Sequence, residues 1–135
     1  MFRKIQLVIT IVGSIGCIGF SNAFTQELGA STSKEKKILS LVAALPEVQK
    51  RAREIRALSR GNTQITLMIS ANPDIYIPYY QVNVNDNAPT YNNYYQFAVD
   101  PKTFQIFYYD PVKNHQYSLA EWRKMKEKNN KGTFQ

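Results

Sequence analysis

The first strongly periodic stretch of the chain lies between residues 34 and 60 and has the spacing of an amphipathic helix. Apolar side chains recur there at steps of three and four, with lysines, arginines and glutamates between them. Pro46 falls inside this pattern and removes a backbone hydrogen bond, so we expect a kinked helix or a helix pair with Pro46 opening the second. Gly61 is expected to end the helical region. The apolar positions are Ile38, Leu41, Val42, Leu45, Val48, Ala52, Ile55 and Leu58.

After Gly61 the pattern changes to alternation of apolar and polar residues, which is typical of strands with one buried face. Short segments rich in Asn, Asp and Pro separate the runs, so the chain predicts about four antiparallel strands joined by turns. Pro78 makes the apolar triplet at 75–77 at best an edge piece of the sheet. The predicted strands cover residues 63–71, 79–85, 91–99 and 104–109.

Two Asp-Pro pairs follow the third and fourth predicted strands, at Asp100 and Asp110. Aspartate in the first position of a type I turn can accept backbone N–H bonds, and proline in the second position has the φ that this turn requires. We therefore interpret both aspartates as hairpin-turn residues and not as catalytic carboxylates.

The C-terminal pattern indicates a short helix that begins after Ser118. Ser118 and Glu121 have the spacing of a capping box, an apolar stripe follows them, and residues 129–135 predict a disordered tail. This order of elements indicates an α+β fold, with an N-terminal kinked helix or helix pair packed on one face of a roughly four-stranded antiparallel sheet and a short C-terminal helix. The predicted single domain covers residues 34–128.

The N-terminal residues 1–23 have the features of a secretory signal peptide: a basic start, an uncharged apolar run, and small residues before a cleavage point. The apolar run is shorter than a membrane-spanning helix requires. We expect export to the periplasm or the medium, with the mature chain starting at Phe24 and a flexible tether at 24–33. The only cysteine, Cys17, follows a sequence similar to a lipoprotein cleavage box, so a lipid anchor at Cys17 is the alternative.

The chain is basic, with a net charge of +7 from 17 Lys and Arg against 10 Asp and Glu. Cleavage after residue 23 would remove Arg3 and Lys4 and lower the net charge to +5. A basic protein favours anionic partners, but predicted export argues against nucleic acid as the partner. Membrane contact is then expected only transiently, through the signal peptide, or as a lipoprotein.

Residues with catalytic or metal-binding potential are few. His115 is the only histidine, so the chain lacks the usual ligand set of a zinc site, and we expect His115 to lie in a turn. Each carboxylate of the second half can be assigned to a turn, a loop or a cap, namely Asp74, Asp86, Asp100, Asp110 and Glu121. The sequence therefore predicts no catalytic, cofactor-binding or metal-binding residue.

Aromatic residues are the most conspicuous feature of the predicted sheet. The chain has nine tyrosines and seven phenylalanines, and consecutive aromatics on a strand cannot all face the core. One set must lie on the outer face, where tyrosine is a frequent contact residue in protein interfaces. A merely well-filled sheet is the alternative. The candidate partner-binding residues are Tyr79, Tyr94, Phe107 and Tyr109.

The segment from about residue 38 to 109 resembles the PepSY-like exported modules. The resemblance rests on the strand Tyr79-Tyr80-Gln81-Val82-Asn83-Val84 and on the strand and turn that run from Tyr95 to Thr103. Phe104 stands at the position that is commonly glycine after the turn threonine. The resemblance implies a non-enzymatic module of the periplasm or cell surface, of a type often proposed to restrain peptidases.

These observations favour a small exported binding or inhibitor-type protein of the bacterial envelope that contacts a protein partner through a tyrosine-rich sheet face. Two alternatives stay open at this point. One is an envelope hydrolase that acts on cell-wall material, and the other is a structural accessory of an envelope complex.

Overall fold

The computed structural model of the protein describes residues 24–26 and 32–132. The predicted signal peptide and Cys17 lie outside the described residues. Among the described residues, no helix has both the length and the apolar character that crossing a membrane requires.

Two helices precede the main part of the sheet, which is one of the two forms predicted from the position of Pro46. Helix α1 covers Ser33–Ala43 and helix α2 covers Pro46–Leu58, with Pro46 in the first turn of α2. Thr32 caps α1 in a capping box with Glu35, so the helix begins at Ser33, one residue before the predicted domain start at Lys34. The helix pair, not a single kinked helix, is therefore the correct form of the prediction.

Among the described residues, the sheet has six strands in the order β1-β2-β3-β4-β5-β6. Strands β2 to β6 pair antiparallel, and β1 pairs in parallel with β2 over three residues. The prediction of about four antiparallel strands missed β6, and β1 lies in the segment that was predicted to be a tether. The strands are β1 Phe24–Gln26, β2 Ile65–Ala71, β3 Tyr80–Asp86, β4 Asn93–Val99, β5 Ile106–Asp110 and β6 His115–Ser118.

The two Asp-Pro turns have the same construction, and both aspartates are confirmed as turn residues. Asp100 Oδ1 accepts from the backbone N–H groups of Lys102 at 2.7 Å and Thr103 at 2.9 Å. Asp110 Oδ1 accepts from the equivalent pair of N–H groups, those of residues 112 and 113. Each turn ends on a residue with positive φ, which is Phe104 at 58° in the first and Asn114 at 48° in the second.

The core lies between the helices and one face of the sheet. Strands β2, β3 and β4 each contribute fully buried aliphatic side chains, and α1 and α2 cover them. The C-terminal helix α3, Leu119–Gly132, closes the other end by inserting Trp122, whose ring stacks on Tyr108 with centroids 4.5 Å apart. Residues 129–132 are part of α3, so the prediction placed the end of this helix too early. The α+β class and the antiparallel sheet are confirmed.

Candidate binding surface

The sheet face that points away from the helices carries no charged side chain within strands β2 to β6. The core residues Val82, Val84 and Phe97 point toward the helices, so alternation turns their neighbours to the open face. These neighbours have amide, hydroxyl, aromatic or other apolar side chains, although the chain has 27 charged residues, the sum of its acidic and basic side chains. The residues of this open face are Thr66, Met68, Ser70, Gln81, Asn83, Gln96, Ala98, Phe107, Tyr109 and Gln116.

Two of the predicted binding residues, Tyr79 and Phe107, meet on this face. Their rings form an edge-to-face pair with centroids 5.7 Å apart, although 28 residues separate them in sequence. Below them, Ala98 is only 1% exposed, and it pairs directly with Phe107 in the ladder. Both aromatic side chains are half-buried, so the pair is held in place and still presents ring surface.

Tyr94, the third predicted binding residue, does not share the open face. A bulge at Val84 and Asn85 shifts the register between β3 and β4, and bulges re-aim side chains. The Tyr94 ring packs against the core and lies 5.3 Å from the Arg51 guanidinium carbon of α2. The assumption of strict alternation was therefore wrong at Tyr94.

Tyr94 belongs to a polar network centred on the buried carboxylate of Asp86. The Tyr94 hydroxyl donates to Asp86 Oδ2 at 2.6 Å, and Asn92 donates both its backbone N–H and its side-chain amide to the same carboxylate. Burial alone would raise the pKa of Asp86, but these hydrogen bonds and one from the Ala88 N–H outweigh it and lower the pKa below its ordinary value. Burial and the bond to Asp86 raise the pKa of Tyr94 to about 12.

Tyr109, the fourth predicted residue, lines a cleft where β4 and β5 separate. Their regular pairing covers only three residue pairs, from Val99 and Ile106 to Phe97 and Tyr108. Beyond that point β4 continues along β3, while β5 continues along β6. The cleft has a volume of about 350 Å³, and the Tyr109 hydroxyl beside it donates to Asn114 Oδ1 at 2.8 Å. Its walls include Asn93, Tyr94, Tyr95, Gln96, Tyr108 and Tyr109.

Three consecutive exposed apolar side chains lie in the β2–β3 loop, which sequence reasoning treated only as a turn or an edge piece. Ile75 is 88% exposed, Tyr76 is 85% exposed and Ile77 is 41% exposed. Asp74 fixes the loop, because its Oδ1 accepts from the N–H groups of residues 76 and 77 and its own N–H donates to the Ile77 carbonyl. The missed signal was an apolar triplet between Pro73 and Pro78, directly after a turn aspartate.

The loop leads directly into the aromatic pair of the open face. Tyr79 follows Pro78 in the chain and contacts Phe107. We call Ile75, Tyr76, Ile77, Tyr79 and Phe107 together the apolar ridge. Ile75, Tyr76 and Ile77 are consecutive exposed apolar residues, and exposed apolar patches are typical of interaction sites.

The remaining candidate chemistry is dispersed. His115 is exposed, and its ring lies 4.5 Å from the ring of Tyr117. It is the first residue of strand β6, so the prediction that it lies in the preceding turn is wrong. Glu121 caps α3 by accepting from both the N–H and the hydroxyl of Ser118. Within residues 32–132, no three His, Asp or Glu side chains lie close enough together to hold a metal ion.

Comparisons with protein-family models, with curated proteins and with solved structures found no match for this chain. The resemblance to PepSY-like modules stays a prediction.

Proposed function

We propose that this is a small exported binding or inhibitor-type protein of the bacterial envelope, that it catalyses no reaction, and that it contacts a protein partner through the apolar ridge. The observation that carries the proposal is the loop at 72–78, where three consecutive apolar side chains are exposed on a backbone fixed by Asp74. Burying such side chains on a partner removes apolar area from water.

Preorganisation of the loop supports a binding role. A mobile loop loses conformational entropy when a partner orders it, whereas a loop that is already held by hydrogen bonds loses less. Pro73 and Pro78 restrict the backbone on both sides, and Asp74 ties residues 76 and 77 to the base of the loop. Because Tyr76 and Ile77 contribute only backbone groups to these bonds, their side chains remain available to a partner.

The open face extends this surface with uncharged side chains. Tyr79 and Phe107 lie among amide and hydroxyl side chains, so a partner that covers them need not desolvate a charge. The predicted signal peptide and the PepSY-like resemblance agree with a non-enzymatic role at the cell surface or in the periplasm. The structural-accessory alternative would use the same surface and differs in the partner's identity.

A capture experiment tests the proposal. The purified protein is immobilised and exposed to an envelope extract, and the retained proteins are compared between the wild type, the double variant Ile75→Ser/Tyr76→Ser and the control Val112→Ser. Val112 is 93% exposed in the β5–β6 turn, so the control removes an equally accessible apolar side chain elsewhere. We expect the wild type and the control to retain one partner in stoichiometric amount and the double variant to lose it.

The outcome that contradicts the proposal is retention that does not depend on the loop, or no stoichiometric partner at all. The hydrolase alternative predicts instead that the protein degrades a wall polymer and that His115→Ala or Asp110→Asn abolishes this turnover.

A further inference from the structure

A second surface, distinct from the apolar ridge, lies at the β6 edge of the sheet. Strand β6 is the last strand in the sheet order, and among the described residues no strand pairs with its outer side. Helix α3 follows β6 directly and lies beside it, leaving an open groove of about 340 Å³ between them. Its lining residues are His115, Tyr117, Glu121, Lys124, Met125 and Lys128.

The groove has an apolar floor and a basic rim. Tyr117 and Met125 are half-buried and pack against the core, so they form the floor. Glu121, Lys124, Met125 and Lys128 recur at steps of three and four, which places them on one stripe of α3. Lys124 and Lys128 are exposed, and neither has an ion pair within the described part of the chain.

The charge distribution along the groove is uneven. Glu121 lies at the start of α3, where its carboxylate is already engaged by Ser118, and the two lysines follow toward the C-terminal end of the helix. The lysine end therefore attracts an anionic group, and the Glu121 end does not. Charge complementarity at this groove selects an acidic ligand with a defined orientation.

The edge of β6 adds backbone hydrogen-bonding capacity. The Ser118 N–H donates to Glu121, from which we infer that it does not bond to β5. Hydrogen-bonded and non-bonded pairs alternate along an antiparallel ladder. This alternation turns the backbone N–H and carbonyl of Gln116 away from β5, toward the outer edge. An extended peptide could pair with Gln116 there, as in the addition of a strand to an exposed sheet edge.

We propose that the groove between β6 and α3 binds an extended acidic segment of a protein, which pairs with Gln116 and places its carboxylates at Lys124 and Lys128. The proposal is independent of the apolar ridge, since the two surfaces share no residue.

Fluorescence anisotropy with a labelled peptide of alternating valine and glutamate tests the proposal. The matched variants are Lys124→Gln/Lys128→Gln in the groove and Lys34→Gln/Lys36→Gln on α1, which remove the same charge from helical positions. We expect the wild type and the α1 variant to bind the peptide with the same affinity. The affinity of the groove variant should be lower by at most roughly fivefold, as the loss of two exposed ion pairs implies. A peptide with lysine in place of glutamate should not bind.

A backbone readout separates strand addition from simple charge attraction. Hydrogen exchange at the Gln116 amide should slow when the valine and glutamate peptide is added, and Gln116→Pro should weaken binding because it removes the donor at an edge position that tolerates proline. Equal weakening in both lysine variants, no binding by the wild type, or unchanged exchange at Gln116 would each overturn the proposal.

Discussion

Phe104 has a backbone conformation that strains most side chains, with φ at 58°. Its ring nevertheless packs against the core, and the Lys37 ammonium lies 4.0 Å from the ring centroid. The position thus combines a conformation that favours glycine with a contact that only a large side chain makes.

Because of this conflict, we expect glycine to be the more stable replacement at residue 104, whereas alanine is usually the more stable of the two. Phe104→Ala loses the ring contacts and keeps the strain, whereas Phe104→Gly loses the ring and relieves the strain. We expect both variants to be less stable than the wild type, with the glycine variant about 1 kcal/mol more stable than the alanine variant. Urea denaturation measures the difference. An alanine variant as stable as the glycine variant would show that the φ of residue 104 carries no strain.

For single side chains, the sequence predicted hydrogen bonds within turns well and exposure to solvent poorly. Asp100 and Asp110 were identified correctly, because the hydrogen bonds of an Asp-Pro turn are local and depend on four or five consecutive residues. The exposure of Ile75 and Tyr76 was missed, because it depends on where the loop lies relative to the rest of the sheet. Local chemistry can be read from sequence, but exposure depends on tertiary contacts.

The bulged β3–β4 hairpin is the element whose geometry determines which tyrosines face outward. The bulge at Val84 and Asn85 directs Tyr94 toward Asp86 and Arg51, so strict alternation does not give the direction of this side chain. An alternating pattern cannot reveal an inserted residue in one strand. Strand β6 was missed for a related reason, since its four residues are too few to show alternation.

Removing the Tyr94 hydroxyl should weaken this hairpin. Tyr94→Phe leaves Asp86 without one of its donors, and we expect a loss of about 1–2 kcal/mol in the free energy of unfolding, as for hydrogen bonds to a partly buried charged group. Tyr109→Phe is the control, because its hydroxyl bonds to Asn114 at the surface and should matter less. Urea denaturation of both variants gives the comparison. Equal losses in the two would contradict a special role of the network.

The same network predicts that the folded protein loses stability at alkaline pH. The folded pKa of Tyr94, about 12, lies above the ordinary tyrosine value of 10.0, so its contribution to stability is fully present below pH 10 and is lost as the pH rises toward 12. Ultraviolet titration of the folded protein should show a tyrosine that ionises later than the others and that disappears in Tyr94→Phe.

At the scale of the whole molecule, the carboxylates make folding sensitive to acid. Hydrogen bonds outweigh the opposing effect of burial and lower the folded pKa of five carboxylates, so their contribution is present above the unfolded pKa and is lost as the pH falls through the folded value. We expect the urea midpoint to decline below about pH 4, where unfolded carboxylates begin to bind protons. The five groups are Glu47, Asp74, Asp86, Asp100 and Glu121.

Charge repulsion would act in the same direction, because acid also increases the net positive charge beyond +7. Salt separates the two causes, since it screens repulsion between surface charges but leaves the hydrogen bonds of Asp86 in place. A decline that persists in high salt supports the carboxylate account. A midpoint that is independent of pH, or a decline that salt abolishes, contradicts it.

The overall architecture followed from periodicity, because helical and strand patterns with clear breaks fix the order and the class of elements. Periodicity did not predict how charge is distributed over the folded surface. Gln81, Gln96 and Phe107 are far apart in sequence, and only the strand register brings them together as a neutral face. The whole molecule thus combines a basic helix layer with an uncharged sheet face and an apolar ridge, an arrangement suited to binding.

Photo-crosslinking shows whether a protein partner covers the apolar ridge. A photoreactive phenylalanine analogue is placed at residue 76 or, as the control, at residue 112, and the protein is irradiated in an envelope extract. Both positions are highly exposed, so accessibility does not favour either. Our account predicts one dominant crosslinked protein from residue 76 and none from residue 112. The same crosslinks from both positions, or none from residue 76, would contradict it.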